Sequence, residues 1–300
     1  MTRVAIPASS SQAPHPADIL ALLKPITWFP PMWAFLCGVV SSGVPIADRW
    51  TFLLAGVVLT GPAVCGTSQA VNDWFDRHVD AINEPDRPIP SGRIPGRWGL
   101  YIALAGTALS LLLGAALGPW VLAATAVGLV AAWAYSAPPL RLKTNGWLGP
   151  GTVALSYEGL SWFTGAAVMA AALPATPILA VLLLYSLGAH GIMTLNDFKA
   201  LRGDRLTGVR SLPVTLGPAK AARLACLIMA VPQAAVAALL LHWGHLWSAA
   251  AVALSLGLQL ALMPRLLRDP AGQAPWYNAT GVSLYVLGMM AAAIGLGAAA

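Results

Sequence analysis

Asp73, Asp76 and Asp80 follow one another at offsets of three and four in Asn72-Asp73-Trp74-Phe75-Asp76-Arg77-His78-Val79-Asp80, a spacing that sets all three carboxylates along one side of a helix. Like charges so arranged repel by a few tenths of a kcal/mol per pair, so local helix stability gives no reason for them. A divalent cation reverses that penalty. Hard carboxylate oxygens suit Mg²⁺, which is commonly held through one or two carboxylates together with substrate phosphate oxygens. A second stretch, Asn196-Asp197-Phe198-Lys199 followed by Gly203-Asp204-Arg205 and Arg210-Ser211-Leu212-Pro213, repeats the theme. Both stretches open Asn-Asp-aromatic, and both later carry an arginine ahead of Ile-Pro or Leu-Pro, as if two related helical halves each contributed half a site. Interspersed Arg and Lys supply the charged hydrogen bonds that a phosphate group needs. The pattern predicts a clamp for a diphosphate held by Mg²⁺. The plainer alternative is a solvated acidic loop paired with its own arginines, and the duplication argues against it.

The elements that must carry these acids are membrane helices. Of 300 residues, 58% are hydrophobic and only 9% charged, against about 25% charged in an ordinary soluble domain. Apolar segments recur at 25–42, 51–71, 98–117, 119–135, 148–172, 176–195, 218–241, 246–263 and 276–298. Each is long enough for a helix to cross a bilayer, and too long and uniform for a barrel strand. The expected fold is all-α: a polytopic bundle of nine transmembrane helices over 18–300, with the acidic stretches 72–97 and 196–217 as loops at one face. Residues 1–17 are rich in Ser, Pro and Ala and read as a disordered lead-in without the apolar core of a signal peptide. Three scattered cysteines suggest neither disulfides nor zinc. The net charge of +6 comes without a basic run bearing interleaved aromatics, so nucleic acid is not an expected partner.

Orientation in the lipid bilayer explains that charge. With the N-terminus in the cytoplasm and nine alternating spans, every one of the 17 Lys and Arg residues except Arg49 falls in a cytoplasmic segment. Both acidic stretches then face the cytoplasm and the C-terminus faces the periplasm.

The sequence from Asn72 to Asp80 resembles the first aspartate-rich motif of the UbiA-type intramembrane prenyltransferases. Its continuation, Asp80-Ala81-Ile82-Asn83-Glu84-Pro85-Asp86-Arg87-Pro88-Ile89-Pro90-Ser91-Gly92, is similar to the chlorophyll synthase branch of that family, as is Asn196-Asp197-Phe198-Lys199 leading to Gly203-Asp204. Trp74-Phe75-Asp76-Arg77-His78 and Gly191-Ile192-Met193-Thr194-Leu195-Asn196-Asp197-Phe198-Lys199-Ala200-Leu201 look most like the purple-bacterial members of the branch. The resemblance covers nearly the whole chain from Lys24. It implies esterification of the propionate of bacteriochlorophyllide by geranylgeranyl or phytyl diphosphate, in a bacterial inner membrane, with Mg²⁺ as cofactor. It implies a ligand set of Asn72, Asp73, Asp76, Asp80, Asp197 and Asp204, and catalytic roles for Asp73, Asp76, Asp80, Asp204, Arg77 and Lys199. The diphosphate would be met by Asn72, Arg87, Arg141, Lys143, Asn196, Arg205 and Arg210. One departure concerns the second motif, Asp-x-x-x-Asp in the wider family. Here Ala200 stands where its first acid would be, leaving Asp197 to serve in its place, while Asp204 with Gly208 and Ser211 keeps the family spacing.

Other residues point less sharply. Tyr135-Ser136-Ala137-Pro138-Pro139-Leu140-Arg141-Leu142-Lys143 closes the fourth span, and its cations serve equally well as interfacial anchors. Glu158 is an acid deep within a span, functional by default there or structurally hydrogen-bonded. His190 could reach a pigment's central metal, although a satisfied core histidine is the simpler reading. Trp74 could pack on the pigment or simply between helices. Other pigment-biosynthesis and photosynthetic assembly proteins are conceivable partners. A secondary transporter would place its ionisable groups near the bilayer midplane. A pigment scaffold without catalysis would leave the paired acids unexplained.

Overall fold

Apolar residues surround the long segments on every side, which suits helices packed in lipid. The computed structural model describes residues 13–298. Among them the regular structure is helical, and extended backbone pairs only at an isolated bridge between Asn145 and Arg210. The first half comprises α1 (Pro16–Leu23), α2 (Phe29–Ser41), α3 (Ile46–Val58), α4 (Gly66–Asn83), α5 (Trp98–Leu117), α6 (Pro119–Ser136), α7 (Leu148–Ala154) and α8 (Ser161–Ala170). The second comprises α9 (Thr176–Asn196), α10 (Leu201–Thr207), α11 (Leu212–Thr215), α12 (Pro218–His242), α13 (Leu246–Arg268), α14 (Pro270–Ala279) and α15 (Gly281–Gly297). Proline lies in the first turn of α6, α9 and α12, where its missing N–H is one the helix would not use. Of the expected lead-in 1–17, residues up to 12 lie outside the described part, and α1 begins at Pro16.

Seven helical runs are long and apolar enough to cross a membrane, and an eighth is added if the pair Pro16–Thr27 and Phe29–Ser41, bent by 59°, makes one span. The remaining expected segment, 148–172, is helical as well. It runs through α7, a π-helical turn (Leu155–Leu160) and α8, but Ser156, Glu158, Ser161 and Thr164 make it too polar to count. Several of these polar residues face an internal cavity, so lipid is not their main neighbour.

The acidic stretches also differ from the loops expected. A π-helical turn, Leu59–Cys65, containing Pro62, joins α3 to α4, and α4 then carries Asn72 through Asn83 without a break. The second stretch begins as a 3₁₀ turn, Asp197–Ala200, and continues as α10, which tolerates Gly203 and ends at Gly208 with φ +76°, the left-handed cap that glycine adopts most easily.

Close backbone contact packs α2 against α8 within the first half. A Cβ at Gly38 of α2 would lie 2.0 Å from the Trp162 carbonyl oxygen, and one at Gly165 of α8 would lie 2.0 Å from that of Phe35. Only glycine lets these helices touch so closely, the packing that lipid favours. α2 also packs on α15, and α9 on α12, so both halves share the core around Trp162, Tyr185 and Tyr285.

Candidate active site

A cavity of about 690 Å³ opens at one end of the bundle, where the acidic stretches of both halves meet. α4 supplies Asn72, Asp76 and Asp80; the loop after α6 supplies Arg141 and Lys143; the end of α9 and the turns beyond it supply Asn196, Asp197, Asp204 and Ser211. Deeper in, the lining becomes small and uncharged: Ala124, Gly128 and Ala131 of α6 face Val64 and Leu160, and the hydroxyls of Thr60, Ser161 and Thr164 there donate to helix carbonyls.

Two backbone hydrogen bonds bring the halves into register. Arg210 N–H donates to the Thr144 carbonyl at 2.9 Å, and Gly146 N–H donates to the Arg210 carbonyl at 2.9 Å. A Cβ on Gly146 would sit 2.6 Å from the Leu212 nitrogen, so glycine is what allows the strand-like contact. The loop carrying Arg141 and Lys143 is thereby fixed beside the turn that follows α10.

The two acidic walls differ in electrostatics. On α4 each aspartate is paired: Lys143 Nζ and Arg141 Nη2 (3.4 Å) reach Asp76, and Arg87 Nη1 lies 2.9 Å from Asp80 Oδ2. Burial pushes the Lys143 ammonium below its ordinary pKa, and the Asp76 carboxylate opposes that shift. Across the cavity, among the described residues, no Lys or Arg nitrogen comes within ion-pair distance of Asp197 or Asp204. Asp204 Oδ2 accepts a hydrogen bond from Ser211 Oγ at 2.7 Å. Asn72 Nδ2 donates to Asp76 Oδ2 (3.1 Å) and to Ser136 Oγ (3.3 Å), which leaves its carbonyl oxygen available.

Asp73 departs from the expected grouping. It is fully buried, does not line the cavity, and receives Lys24 Nζ at 2.6 Å and Arg87 Nη1 at 3.4 Å. The reason is angular: residues seven apart on a helix lie nearly above one another, so Asp73 and Asp80 share Arg87 while Asp76 turns toward Lys143. No three His, Cys, Asp or Glu side chains among the described residues converge to hold an ion by themselves. The donor set that does face the cavity, an amide oxygen and carboxylates on both walls, fits a hard divalent cation that takes further oxygens from a phosphate or water.

The other expected site residues lie off the cavity. Arg77 stacks over the Trp74 ring at 4.1 Å and donates to the Trp74 carbonyl, so both belong to helix packing. Lys199, Arg205 and Arg210 do not line it, although each is on or beside the turns that do. His190 is buried, with Nε2 3.2 Å from the Trp147 carbonyl oxygen and Nδ1 3.5 Å from Thr194 Oγ1, the satisfied core histidine. Glu158 is buried in the π-helical turn with Oε2 unpartnered. Tyr135, at the end of the fourth span, is a site residue that its local sequence does not single out. The residue lines the cavity, and its phenol lies in the field of Asp76, Asp197 and Asp204 together. Its place at the end of a span, just ahead of Arg141, was the available signal.

This arrangement has counterparts. Residues 27–297 match the UbiA prenyltransferase family, and the chain belongs to that family of membrane-embedded enzymes. It is 63% identical to the bacteriochlorophyll synthase 33 kDa chain of Cereibacter sphaeroides over 94% of both chains. It is 37% identical to the chloroplastic chlorophyll synthase of Avena sativa over 92% of this chain and 75% of that one. Among solved structures, a UbiA homologue from Archaeoglobus fulgidus bound to DMAPP and Mg²⁺ shares the fold, with a TM-score of 0.71 at 20% identity over 89% of this chain and 99% of that one. The chain is a prenyltransferase.

Proposed function

We propose that this enzyme esterifies the propionate of bacteriochlorophyllide with a geranylgeranyl or phytyl group taken from its diphosphate. The observation that carries the reading is one continuous cavity, charged at the mouth and uncharged in depth, in a chain of this family. The pigment acceptor rests on the bacterial relative at 63% identity, well above the 37% shared with the plant chlorophyll synthase.

Asn72, Asp76 and Asp80 on one wall and Asp197 and Asp204 on the other would hold Mg²⁺ with the diphosphate between them, Asp73 contributing through Arg87 instead of directly. Bound Mg²⁺ would offset the charge that develops on the diphosphate as it departs. Lys143 and Arg141, now paired with Asp76, are within reach to exchange that carboxylate for phosphate oxygens. The allylic C1–O bond breaks, the diphosphate leaves with the electron pair, and a propionate oxygen forms the new bond to C1. The propionate is already ionised near neutral pH, so no general base is needed. The uncharged depth of the cavity, whose hydroxyls are turned to helix carbonyls, takes the isoprenoid tail.

The proposal extends to topology: nine crossings in a bacterial inner membrane, N-terminus in the cytoplasm and C-terminus in the periplasm. The bent pair and the polar helical run 148–170 would supply the two crossings beyond seven, and the gathering of all Lys and Arg but Arg49 on one face supports the orientation. Purified protein incubated with Mg²⁺, each prenyl diphosphate and either bacteriochlorophyllide or chlorophyllide tests the function. Bacteriochlorophyllide ester is the expected main product. Absence of any pigment ester overturns the reading.

A further inference from the structure

Asn72 and Asn196 occupy matching places at the start of the two acidic stretches, yet the structure binds their amides in opposite senses. Asn72 uses its Nδ2, donating to Asp76 and Ser136, and keeps its oxygen free. Asn196 uses its Oδ1, which accepts from Asn278 Nδ2 at 2.9 Å. Among the described residues, the Nδ2 of Asn196 has only the Met193 sulfur, at 3.9 Å. Asn196 lines the cavity beside Asp197. One wall therefore presents an amide acceptor and the other an amide donor.

Asn278 decides which. It lies on α14, which packs against α9 and the turn Asp197–Ala200, and its own Oδ1 is buried without a partner. A buried carbonyl oxygen without a hydrogen bond is costly. Turning both amides over keeps a bond between them and still leaves one Asn278 atom unpaired, but it sets the Asn196 oxygen against the Met193 sulfur, which can accept from the amide nitrogen and cannot donate to the oxygen.

We propose that Asn278 is a positioning residue: by holding Asn196 Oδ1, it aims the Asn196 amide N–H group into the cavity as a hydrogen-bond donor for a phosphate oxygen of the prenyl diphosphate. Asn72 Oδ1, free on the opposite wall, has the chemistry of a cation ligand, so the duplicated asparagines divide the work between metal and phosphate. This rests on the cavity being the prenyl diphosphate site, and not on which pigment accepts the tail.

The test measures binding as well as turnover. Purified protein in Mg²⁺ is titrated with a non-ionising geranylgeranyl thiolodiphosphate, and KM values for diphosphate and pigment are determined separately. Asn278→Ala weakens analogue binding and raises the diphosphate KM about tenfold, the scale of one hydrogen bond to a charged group, while the pigment KM stays unchanged. Asn278→Ser, which retains a donor, falls between Ala and wild type. In an Asn196→Ala background the Asn278→Ala change adds no further loss, because the group it positions is gone. An equal loss in both backgrounds, or Ser no better than Ala, overturns the proposal. If Asn278→Ala does not accumulate in membranes, the Ser variant in the two backgrounds decides by the same comparison. Wild-type protein that binds the analogue but yields no pigment ester would count against the acceptor assignment alone.

Discussion

Lys24 Nζ lies 2.6 Å from Asp73 Oδ1, tying the turn between α1 and α2 to the middle of the acidic helix α4. Asp73 is fully buried and Lys24 partly exposed, with the Lys24 backbone in the left-handed region at φ 49°. The left-handed Lys24 caps the C-terminus of α1, and from that turn its side chain reaches the buried carboxylate, so the pair anchors α1 to the acidic helix.

Removing the lysine should therefore unsettle the fold. Lys24→Met leaves Asp73 with Arg87 alone, and the loss should fall somewhat below the roughly 3–5 kcal/mol of a broken, fully buried pair, because solvent already screens Lys24. Thermal unfolding in detergent should show a lowered midpoint, partly restored by adding Asp73→Asn. No restoration would mean that the pair does not carry the effect.

The division between Asp73 and Asp76 should appear in metal dependence. Activity is expected to vanish in chelator and to return with Mg²⁺. Asp76→Asn should cost more than the 10–100-fold typical of groups that only support a metal ligand, and should raise the Mg²⁺ concentration for half-maximal rate. Asp73→Asn should lower the thermal midpoint and leave that concentration close to the wild-type value. Equal shifts in Mg²⁺ dependence for both variants would return Asp73 to the ligand set.

Gly128 should set the room available to the tail. A Cβ there would meet nothing closer than Leu160 Cδ1 at 3.6 Å and Val64 Cγ1 at 3.8 Å, so this glycine is not required by helix contact as Gly38 is. It lies on the cavity wall of α6, seven positions below Tyr135, about 10 Å further in at 1.5 Å per residue. Gly128→Leu is expected to lower turnover of the twenty-carbon donor by at least about tenfold relative to a ten-carbon donor. Competition between the two diphosphates, with esters separated by mass, measures the ratio.

The helical run 148–170 should cross the membrane despite its polarity. The three native cysteines are buried, so single introduced cysteines can be labelled selectively. Ser91→Cys and Ala172→Cys, both at exposed positions, should react with a membrane-impermeant reagent from opposite sides. Labelling from one side would mean that α7 and α8 form a re-entrant segment.

Composition and the placement of Lys and Arg were enough to establish a helical membrane bundle with its chemistry at one face, because lipid leaves a chain so poor in charge few other options. The offsets of Asp73, Asp76 and Asp80 also revealed a helix and a site, since helical periodicity is local. What those offsets could not say is which carboxylate turns inward. That depended on Lys24, Arg87 and Lys143 arriving from three other parts of the chain, and no local rule brings them there. Tyr135 and Asn278 were hidden for the same reason: their roles come from helix packing, which sets one beside the acids of both walls and the other behind Asn196. The polar run 148–170 read as one more span by length, and only the packed bundle showed that its Ser and Thr side chains turn to a cavity. Sequence specifies the helices and their chemistry locally; the direction in which each side chain acts is a property of the neighbours that packing supplies.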